Sequence, residues 1–307
     1  MDTQNEEQVI ADLGFLSETA MEFLRLGPEK DLYRYIADRL RSLTGESWVF
    51  ISSYHSERDA TCLRTFSGMG RWPSRIFALV GEVPCRRYRK ISEEAREALL
   101  TGRLHEVPGG VYELLYREMP RSVAERIAKI GRITGVYSMG LVCHSELFGA
   151  VAVVTRHGAT LERPDMVEAF INQAAVAIRR VQAEERLNAT EVRFRALMDQ
   201  VDDIVAIVDR DLILEDINRR ACEKLCYRRE KLLGRSLVDL LEYEDRRRQP
   251  IPWDRIRRGR RVYDTRRVRT GDGRTRIYRG CLNPLADGRL LIIANDVTDI
   301  GPDEECP

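Results

Sequence analysis

The chain has 307 residues, of which 43% are hydrophobic, and its 50 basic and 49 acidic residues leave a formal net charge of +1. This length predicts about two domains, and the hydrophobic content excludes an extended disordered chain. A near-neutral charge favours neither nucleic acid nor a membrane surface as a partner.

Three further features indicate the compartment. No apolar run approaches the roughly 18 residues that a membrane helix needs. The N-terminal stretch MDTQNEEQVIADLG is acidic and lacks the basic-then-apolar order of a secretion signal. The chain has an odd number of cysteines, scattered through segments of apolar pattern, which argues against a disulfide framework; they are Cys62, Cys85, Cys143, Cys222, Cys226, Cys281 and Cys306. We therefore expect a cytoplasmic protein.

The first half of the chain predicts helices around an antiparallel sheet. Apolar residues recur at helical spacing over the first forty residues, with Gly27-Pro28 separating two helices. Residues 48–54 and 61–66 read as one hairpin, and residues 135–143 and 147–155 as a second. Helices are predicted at 92–100 and 121–130, each stopped by a glycine.

Residues 165–200 predict one long helix, because this stretch contains neither glycine nor proline and is rich in strong helix formers. Its apolar stripe has two registers, one ending at Val181 and one beginning at Leu187. The polar stretch 182–186 between them predicts a junction of two separately folding units between Val181 and Glu191.

The second half follows a different plan. Short strands at 204–208 and 212–217 precede several short helices, and three longer strands follow at 261–269, 275–285 and 289–297. The turns at 271–273 and 287–288 carry the Gly and Asp residues that hairpins favour. The whole pattern predicts an α+β protein of two domains, each a central antiparallel sheet flanked by helices, joined by a long helix.

Residues 190–300 resemble a PAS domain. The stretch NRRACEKLCYRREKLLGRS at 218–236 is similar to the helical segment of that family, RTGDGR at 269–274 to its strand-to-strand turn, and DVT at 296–298 to its closing Asp-Ile-Thr. Residues 10–185 resemble a GAF domain by their order of elements. The predicted domains are thus 1–185 (GAF-like), a linker helix at 186–200, 201–300 (PAS-like) and a tail at 301–307.

The two resemblances imply a sensory protein. Such domains enclose a small ligand or dimerise and relay a signal, and neither is usually catalytic. The sequence lacks a phosphate-binding glycine loop and kinase nucleotide-binding boxes, and Gly301-Pro302 would break an onward helix into an output domain. We expect no enzyme activity, no metal and no cofactor. Two alternatives stay open: the sensory part of a histidine kinase system, truncated or acting in trans, and a redox or gas sensor with cysteine-ligated haem at Cys62, Cys85 or Cys143.

Candidate site residues follow from the two families. A GAF pocket would be lined by aromatic bulk with one cation, from Arg64, Trp72, Tyr112, Tyr116 and Met139; a PAS pocket would be lined by Cys222, Leu241, Trp253 and Tyr278. Ordinary core packing is the alternative for all nine. Cys222 and Cys226 are four residues apart on one helix, a spacing that suits a metal, but no second pair of ligands lies near in sequence.

Partners are predicted from the long helix and from charge. Leu187, Phe194 and Leu197 would be exposed on a solitary helix, which predicts a parallel homodimer with this helix in the seam; packing of the stripe on the PAS sheet of the same chain is the alternative. With Asp296 and Thr298 these residues form the expected signal relay, passed to a histidine kinase or response regulator of a two-component system. Residues 242–281 contain 14 Arg against six acidic residues, which predicts either a solvated face or an anionic partner surface.

Overall fold

The computed structural model describes residues 2–27, 31–70, 87–248 and 252–299. Trp72, Cys85 and the tail after Asp299 lie outside the described residues, as does the side chain of Trp253. The chain divides into two compact units, Met1–Arg186 and Leu187–Pro307. The α+β class with two helix-flanked antiparallel sheets is confirmed.

The N-terminal unit contains a six-stranded antiparallel sheet in the order β3-β2-β1-β6-β5-β4. The strands are β1 Ser47–His55, β2 Ala60–Ser67, β3 Tyr88–Lys90, β4 His105–Glu106, β5 Ile133–Cys143 and β6 Glu146–Arg156. The described helices are α1 Asp2–Arg25, α2 Leu32–Thr44, α3 Glu93–Leu100, α4 Val111–Leu114, α5 Arg121–Gly131 and the first part of α6 Pro164–Gln200. Both predicted hairpins are present, with β1 paired to β2 and β5 paired to β6.

Alternation along the strands separates the two faces of this sheet. On one face, Val49, Ile51 and Val153 pack with residues of α1, α2 and α6 in the main hydrophobic core. On the other face, Trp48 and Val154 pack with Ala124 and Ile127 of α5 in a separate cluster. We call these the helix-bundle face and the α3–α5 face.

A glycine lets α3 approach the sheet closely. A Cβ at Gly140 of β5 would lie 2.1 Å from the carbonyl oxygen of Leu99 and 3.0 Å from a methyl of Leu147. Only a residue without a side chain fits there, so the C-terminal end of α3 comes within van der Waals contact of β5. Leu99 and Leu147 then pack together with Ile91 in a small hydrophobic cluster.

The C-terminal unit contains a five-stranded antiparallel sheet in the order β8-β7-β11-β10-β9. Its strands are β7 Ile204–Val208, β8 Leu214–Ile217, β9 Val262–Arg269, β10 Thr275–Pro284 and β11 Leu290–Asp296. Between β8 and β9 lie the short helices α7 Arg219–Leu225, α8 Arg229–Leu232, α9 Tyr243–Arg248 and α10 Trp253–Arg257, with a 3₁₀ turn at Leu237–Leu240. Its core is formed by Val208, Leu212, Leu214 and Leu232, each at most 2% exposed, and their neighbours.

The long helix α6 begins at Pro164 and ends at Gln200. Its buried residues end at Val181, and residues 183–186 are exposed. The boundary between the two units falls just after these residues, between Arg186 and Leu187. In the described part of the chain, no helix combines the length and the hydropathy needed to cross a bilayer.

Candidate functional site

A cavity of about 820 Å³ lies on the α3–α5 face of the N-terminal sheet. Its floor is the sheet and its roof is made by the three short helices; the lining includes Trp48, Phe50, Ala150, Ala152, Ala95, Ala98, Leu99, Val111, Leu114 and Ile127. The volume lies within the range of about 300–1,000 Å³ that is usual for small-molecule sites. The lining is predominantly apolar, so the space favours a ligand with a substantial apolar body.

Small side chains leave this space open. Ala150 and Ala152 of β6 line the cavity opposite Ala95 and Ala98 of α3, whereas Val153, on the helix-bundle face of β6, is fully buried in the core. Alanines on both walls cannot fill the volume between sheet and helix. The result is a cavity rather than a packed layer.

One corner of the cavity is polar. Thr61 of β2 and Arg89 of β3 are cross-strand partners and therefore share a face of the sheet. The Thr61 hydroxyl is hydrogen bonded to the Tyr116 hydroxyl at 2.6 Å. All three residues line the cavity, and we call them the polar corner.

Arg89 is the buried cation of this corner. Its side chain is only 13% exposed, and Nε lies 3.4 Å from Oε2 of Glu118, which is 40% exposed. Nε is buried and has no hydrogen-bond partner among the described residues. A guanidinium that is largely buried and only loosely paired is poorly solvated, so a ligand acceptor that reached its N–H donors would be stabilised there.

The backbone after α4 places Tyr116 in the cavity. Tyr116 and Arg117 both have positive φ, at 57° and 56°, a left-handed conformation that costs side-chain-bearing residues energy and is often found at functional sites. Arg117 is held by Glu113, with Nε 2.9 Å from Oε1. Burial raises the pKa of Tyr116, so its hydroxyl stays protonated at neutral pH.

The structure brings only part of the predicted GAF pocket together. Tyr116 lines the cavity, whereas Tyr112 lines a second hollow of about 450 Å³ with residues of α5 and β5. Arg64 and Met139 lie on the helix-bundle face: Arg64 Nε donates to the Ser53 hydroxyl at 2.9 Å, and Met139 is fully buried in the main core. The structure thus does not bring these residues together around one pocket, and for the strand residues Arg64 and Met139 the reason is that alternate residues of a strand point to opposite faces.

Sequence reasoning missed Arg89 and Thr61. Neither belongs to a recognisable motif, and the three-residue strand β3 carries no periodic signal. What joins them is the pairing of β2 with β3, which connects residues 28 positions apart. No local pattern in the sequence could have shown that contact.

Cysteines lie away from the described cavity. Cys62 and Cys143 are buried, Cys62 opposite Ser53 on the helix-bundle face and Cys143 within the main core. The Cys143 thiol lies 3.2 Å from Nδ1 of His144, which also lies 2.9 Å from a nitrogen of Arg179. The cavity lining includes no cysteine among the residues described.

The PAS pocket candidates are core residues of the C-terminal unit. Leu241 and Tyr278 are buried, and Cys222 packs against the same core. The Tyr278 hydroxyl donates to the carbonyl of Lys224 at 3.1 Å, and burial raises its pKa to about 12. Cys226 is exposed at the end of α7, so it does not pack in the core with Cys222. Throughout the described ranges, no cluster of three or more His, Cys, Asp or Glu side chains is placed to hold a metal.

The relay candidates at the end of β11 form a compact hydrogen-bonded turn. Thr298 donates to Asp296 from both its amide and its hydroxyl, and the Thr298 hydroxyl accepts from the amide of Ile277 at 3.0 Å. Arg276 lies 3.3 Å from Asp296. Burial opposes ionisation, but the bonds from Thr298 and Arg276 outweigh it and lower the pKa of Asp296. The carboxylate therefore ties the end of β11 to β10.

Asn218 ties the end of α6 to the sheet of the C-terminal unit. It is 2% exposed, and its Oδ1 accepts from the amides of Val205 and Ala221 at 3.1 and 3.0 Å. Its amide nitrogen donates to the carbonyls of Met198 and Asp203 at 3.1 and 2.9 Å. One buried side chain thus joins the last turn of α6, strand β7 and the start of α7.

The second register of α6 is exposed. Leu187 is 69% exposed, Phe194 45% and Leu197 56%. With Ala183, Thr190 and Val201 they recur at spacings of four and three, as the a and d positions of a coiled coil do. The described structure therefore exposes Leu187, Phe194 and Leu197 along one side of α6.

Comparisons with known proteins identify the fold of the C-terminal unit. Residues 198–300 match the family model of the PAS fold, so this unit contains a PAS domain. Comparison with curated proteins finds no match to this chain.

Several solved structures are similar to this chain. A domain of a sensory box histidine kinase/response regulator from Geobacter sulfurreducens is 26% identical, with 36% of this chain and 96% of that chain covered and a TM-score of 0.32. The PAS domain of an HTR-like protein from Haloarcula marismortui is 23% identical, over 38% and 98%, with a TM-score of 0.31. The E. coli DhaR(N)–DhaL complex is 15% identical, over 95% and 88%, with a TM-score of 0.39. All three TM-scores are below 0.5, and the PAS assignment rests on the family model.

Proposed function

We propose that this chain is a non-catalytic sensory protein whose N-terminal unit, a GAF domain over residues 1–185, binds a small molecule in the cavity on the α3–α5 face. The PAS domain in the C-terminal unit supports a role in signal sensing. The observation that carries the proposal is the cavity of about 820 Å³ with its polar corner. An apolar cavity that contains a few convergent polar groups is the usual form of a ligand site.

The alanine walls support this proposal over simple imperfect packing. Protein interiors are packed about as densely as organic crystals, and voids larger than a water molecule are few. A cavity of this volume in an unliganded core would lose the contacts that larger side chains supply. A bound apolar molecule supplies those contacts instead, and it stabilises the unit by mass action.

Binding of an uncharged apolar dye tests the proposal. N-phenyl-1-naphthylamine fluoresces strongly in apolar surroundings, and we expect the intact chain to bind it with a stoichiometry of one per chain. Ala152→Trp fills the floor of the cavity and should weaken binding at least about tenfold, equal to the loss of one or two buried apolar groups. Ala98→Trp fills it from α3 and serves as an independent variant.

The matched control is Ala11→Trp, which adds the same side chain at an exposed position of α1. Circular dichroism establishes that each variant is folded. Unchanged dye affinity in both cavity variants would contradict the proposal, because the dye would then bind elsewhere.

We further propose that the protein acts as a parallel homodimer. The exposed stripe of α6 supports this, because burying each of its large apolar side chains is worth about 1.5–3 kcal/mol. Packing of the stripe on the sheet of its own unit, the alternative considered from sequence, is not supported by the exposure of Leu187, Phe194 and Leu197. In a parallel pair, a ligand-dependent rotation or slide of α6 passes from the N-terminal unit toward Asn218 and the PAS sheet.

A second apolar face supports dimer contacts in the N-terminal unit. Helices α1 and α6 run side by side in the same direction, since Thr19 bonds Gln173 and Arg180 bonds the carbonyl of Leu24. The outer side of this pair exposes large apolar residues, namely Val9, Ile10, Leu13, Met21, Leu24 and Val176. A second copy of the chain would cover this face together with the stripe of α6.

The output partner that we propose is a histidine kinase or a response regulator. Transfer of labelled phosphate from ATP distinguishes an adaptor from a kinase subunit, and we expect none by the chain itself. The haem-sensor alternative receives no support from the described cavity, since Cys62 and Cys143 lie on the other face of the sheet. A Soret band that survives size exclusion would favour that alternative.

A further inference from the structure

The polar corner differs in charge from the rest of the cavity lining. Glu113 and Arg117 neutralise each other through a contact of 2.9 Å. Glu94 and Glu106 are exposed, so water solvates their carboxylates. Arg89 is the charged lining residue with a buried donor that lacks an acceptor. Among the described charged residues of the lining, Arg89 is therefore the most deeply buried, and its charge is positive.

The counterion of Arg89 leaves room for a better acceptor. Glu118 lies outside the cavity lining, and its contact of 3.4 Å with Nε is an ion pair without hydrogen-bond geometry. A guanidinium presents five N–H donors in a planar fork, which matches a carboxylate or a similar oxyanion in a bidentate manner. Charge-assisted hydrogen bonds of this type are stronger than neutral ones, above all where water is excluded.

Tyr116 and Thr61 complete the corner with neutral groups. Their hydroxyls are bonded to each other at 2.6 Å, which leaves one remaining O–H free to donate toward the cavity or another acceptor. A neutral tyrosine next to a buried arginine donates to an anion without repelling it. The two hydroxyls and Arg89 thus provide donors at one end of a long apolar space.

We infer that the ligand of this cavity is an amphipathic anion: a small molecule with an aromatic or branched aliphatic body and one carboxylate or sulfonate. The apolar body lies between the alanine walls, and the anionic group binds Arg89 with help from Tyr116. This inference rests on the proposed function, since it assigns the ligand class of the same cavity. A ligand of this class differs from a neutral hydrocarbon by its anionic group and from a cation by the sign of its charge.

Two dyes with the same aromatic skeleton test the inference. 1-Anilinonaphthalene-8-sulfonate carries a sulfonate, whereas N-phenyl-1-naphthylamine is the same molecule without it. The sulfonate is ionised at every pH of interest, so its charge does not vary with the conditions. We expect Arg89→Met to weaken binding of the sulfonate dye roughly tenfold or more, the effect of losing a charge-assisted hydrogen bond, and to leave the neutral dye within about twofold.

Control variants distinguish loss of the Arg89 charge from loss of folded structure as the cause of weaker dye binding. Arg126→Met removes an exposed arginine of α5 and should change neither dye. Arg89→Lys keeps the charge and should restore part of the preference for the sulfonate. Retained binding of the neutral dye by Arg89→Met shows that the cavity is intact in that variant.

The possible failures are distinguishable. If Arg89→Met changes both dyes equally, or changes neither, the inferred anion site is wrong while the cavity remains a binding site. If Ala152→Trp and Ala98→Trp leave both dyes bound as before, the cavity is not the site, and the proposed function and this inference are both overturned.

Discussion

Side-chain size on a single strand decides whether the N-terminal unit has a cavity. Along β6, Ala150 and Ala152 face the short helices while Val151 and Val153 are buried in the core. A leucine at either alanine would occupy part of the space that the cavity now provides. The same alternation that gives the sheet one packed face therefore gives it one hollow face.

Asn218 is the residue whose replacement should most reduce the stability of the C-terminal unit. We expect Asn218→Ala to lower the free energy of unfolding of this unit by about 2–4 kcal/mol, because the buried amides of Val205 and Ala221 lose their acceptor. Urea denaturation followed by circular dichroism measures the change, and hydrogen exchange locates it at β7 and the end of α6.

Asn295→Ala is the control for that prediction, since this residue of β11 is exposed. It should change the stability by no more than about 0.5 kcal/mol. Asn218→Asp keeps the acceptor but loses the donors to the carbonyls of Met198 and Asp203, so it should loosen mainly the last turn of α6. Equal and small effects of all three variants would contradict the role assigned to Asn218.

At the scale of the element, α6 combines two different helix faces in one continuous stretch. Its first part is buried through Ile171, Ile178 and neighbouring residues, and its second part exposes Leu187 and Phe194. A helix of 37 residues gains little stability from an exposed apolar stripe. The proposed homodimer would cover this stripe.

The double variant Leu187→Glu with Phe194→Glu tests the seam. Both positions are a-type positions of the repeat, and four carboxylates facing each other in a pair would repel and remove apolar contacts. We expect the wild-type chain to be a dimer at tens of micromolar and the variant to be a monomer with unchanged circular dichroism. Light scattering coupled to size exclusion measures the mass.

Ala189→Glu with Val192→Glu is the matched control for the seam. These exposed residues lie at c and f positions, away from the a and d stripe, and they add the same charge. The control should remain a dimer. A monomeric wild-type chain, or equal dissociation of both double variants, would show that α6 does not form the interface.

At the scale of the whole molecule, the chain consists of two units with separate cores. The buried clusters of Met1–Arg186 and of Leu187–Pro307 share no residue. The intervening stretch 184–186 is exposed and charged, so it opens at little cost. This arrangement is what separate folding requires.

Expression of the pieces 1–186 and 187–307 tests that independence. Each piece should give a cooperative urea transition with a midpoint close to that of its unit in the full chain. Limited proteolysis of the intact protein should cut between Val181 and Glu191, where the backbone is least protected. An unfolded 187–307 fragment beside a stable full chain would mean that the units depend on each other.

Much of the architecture could be predicted from local patterns. Local residue patterns determine the hairpin turns, the period of two along the strands and the period of 3.6 along α6. These features can therefore be recognised directly in the sequence. The motifs within 190–300, such as DVT at 296–298, resemble those of a PAS domain, and the family model confirms a PAS domain over 198–300. These features depend on contacts between residues close in sequence or on motifs that recur at fixed distances along the chain.

Only the tertiary structure decided which residues form the candidate site. Of the five predicted GAF pocket residues, Tyr116 lines the cavity, while Arg64 and Met139 lie on the opposite face. Composition suggested aromatic bulk with a cation, and such residues occur on both faces of a sheet. Arg89 joins Thr61 through strand pairing across 28 positions, and Tyr116 reaches them through a left-handed turn after α4. A polar corner made by contacts distant in sequence has no local signature, because its chemistry exists only when the strands are in register.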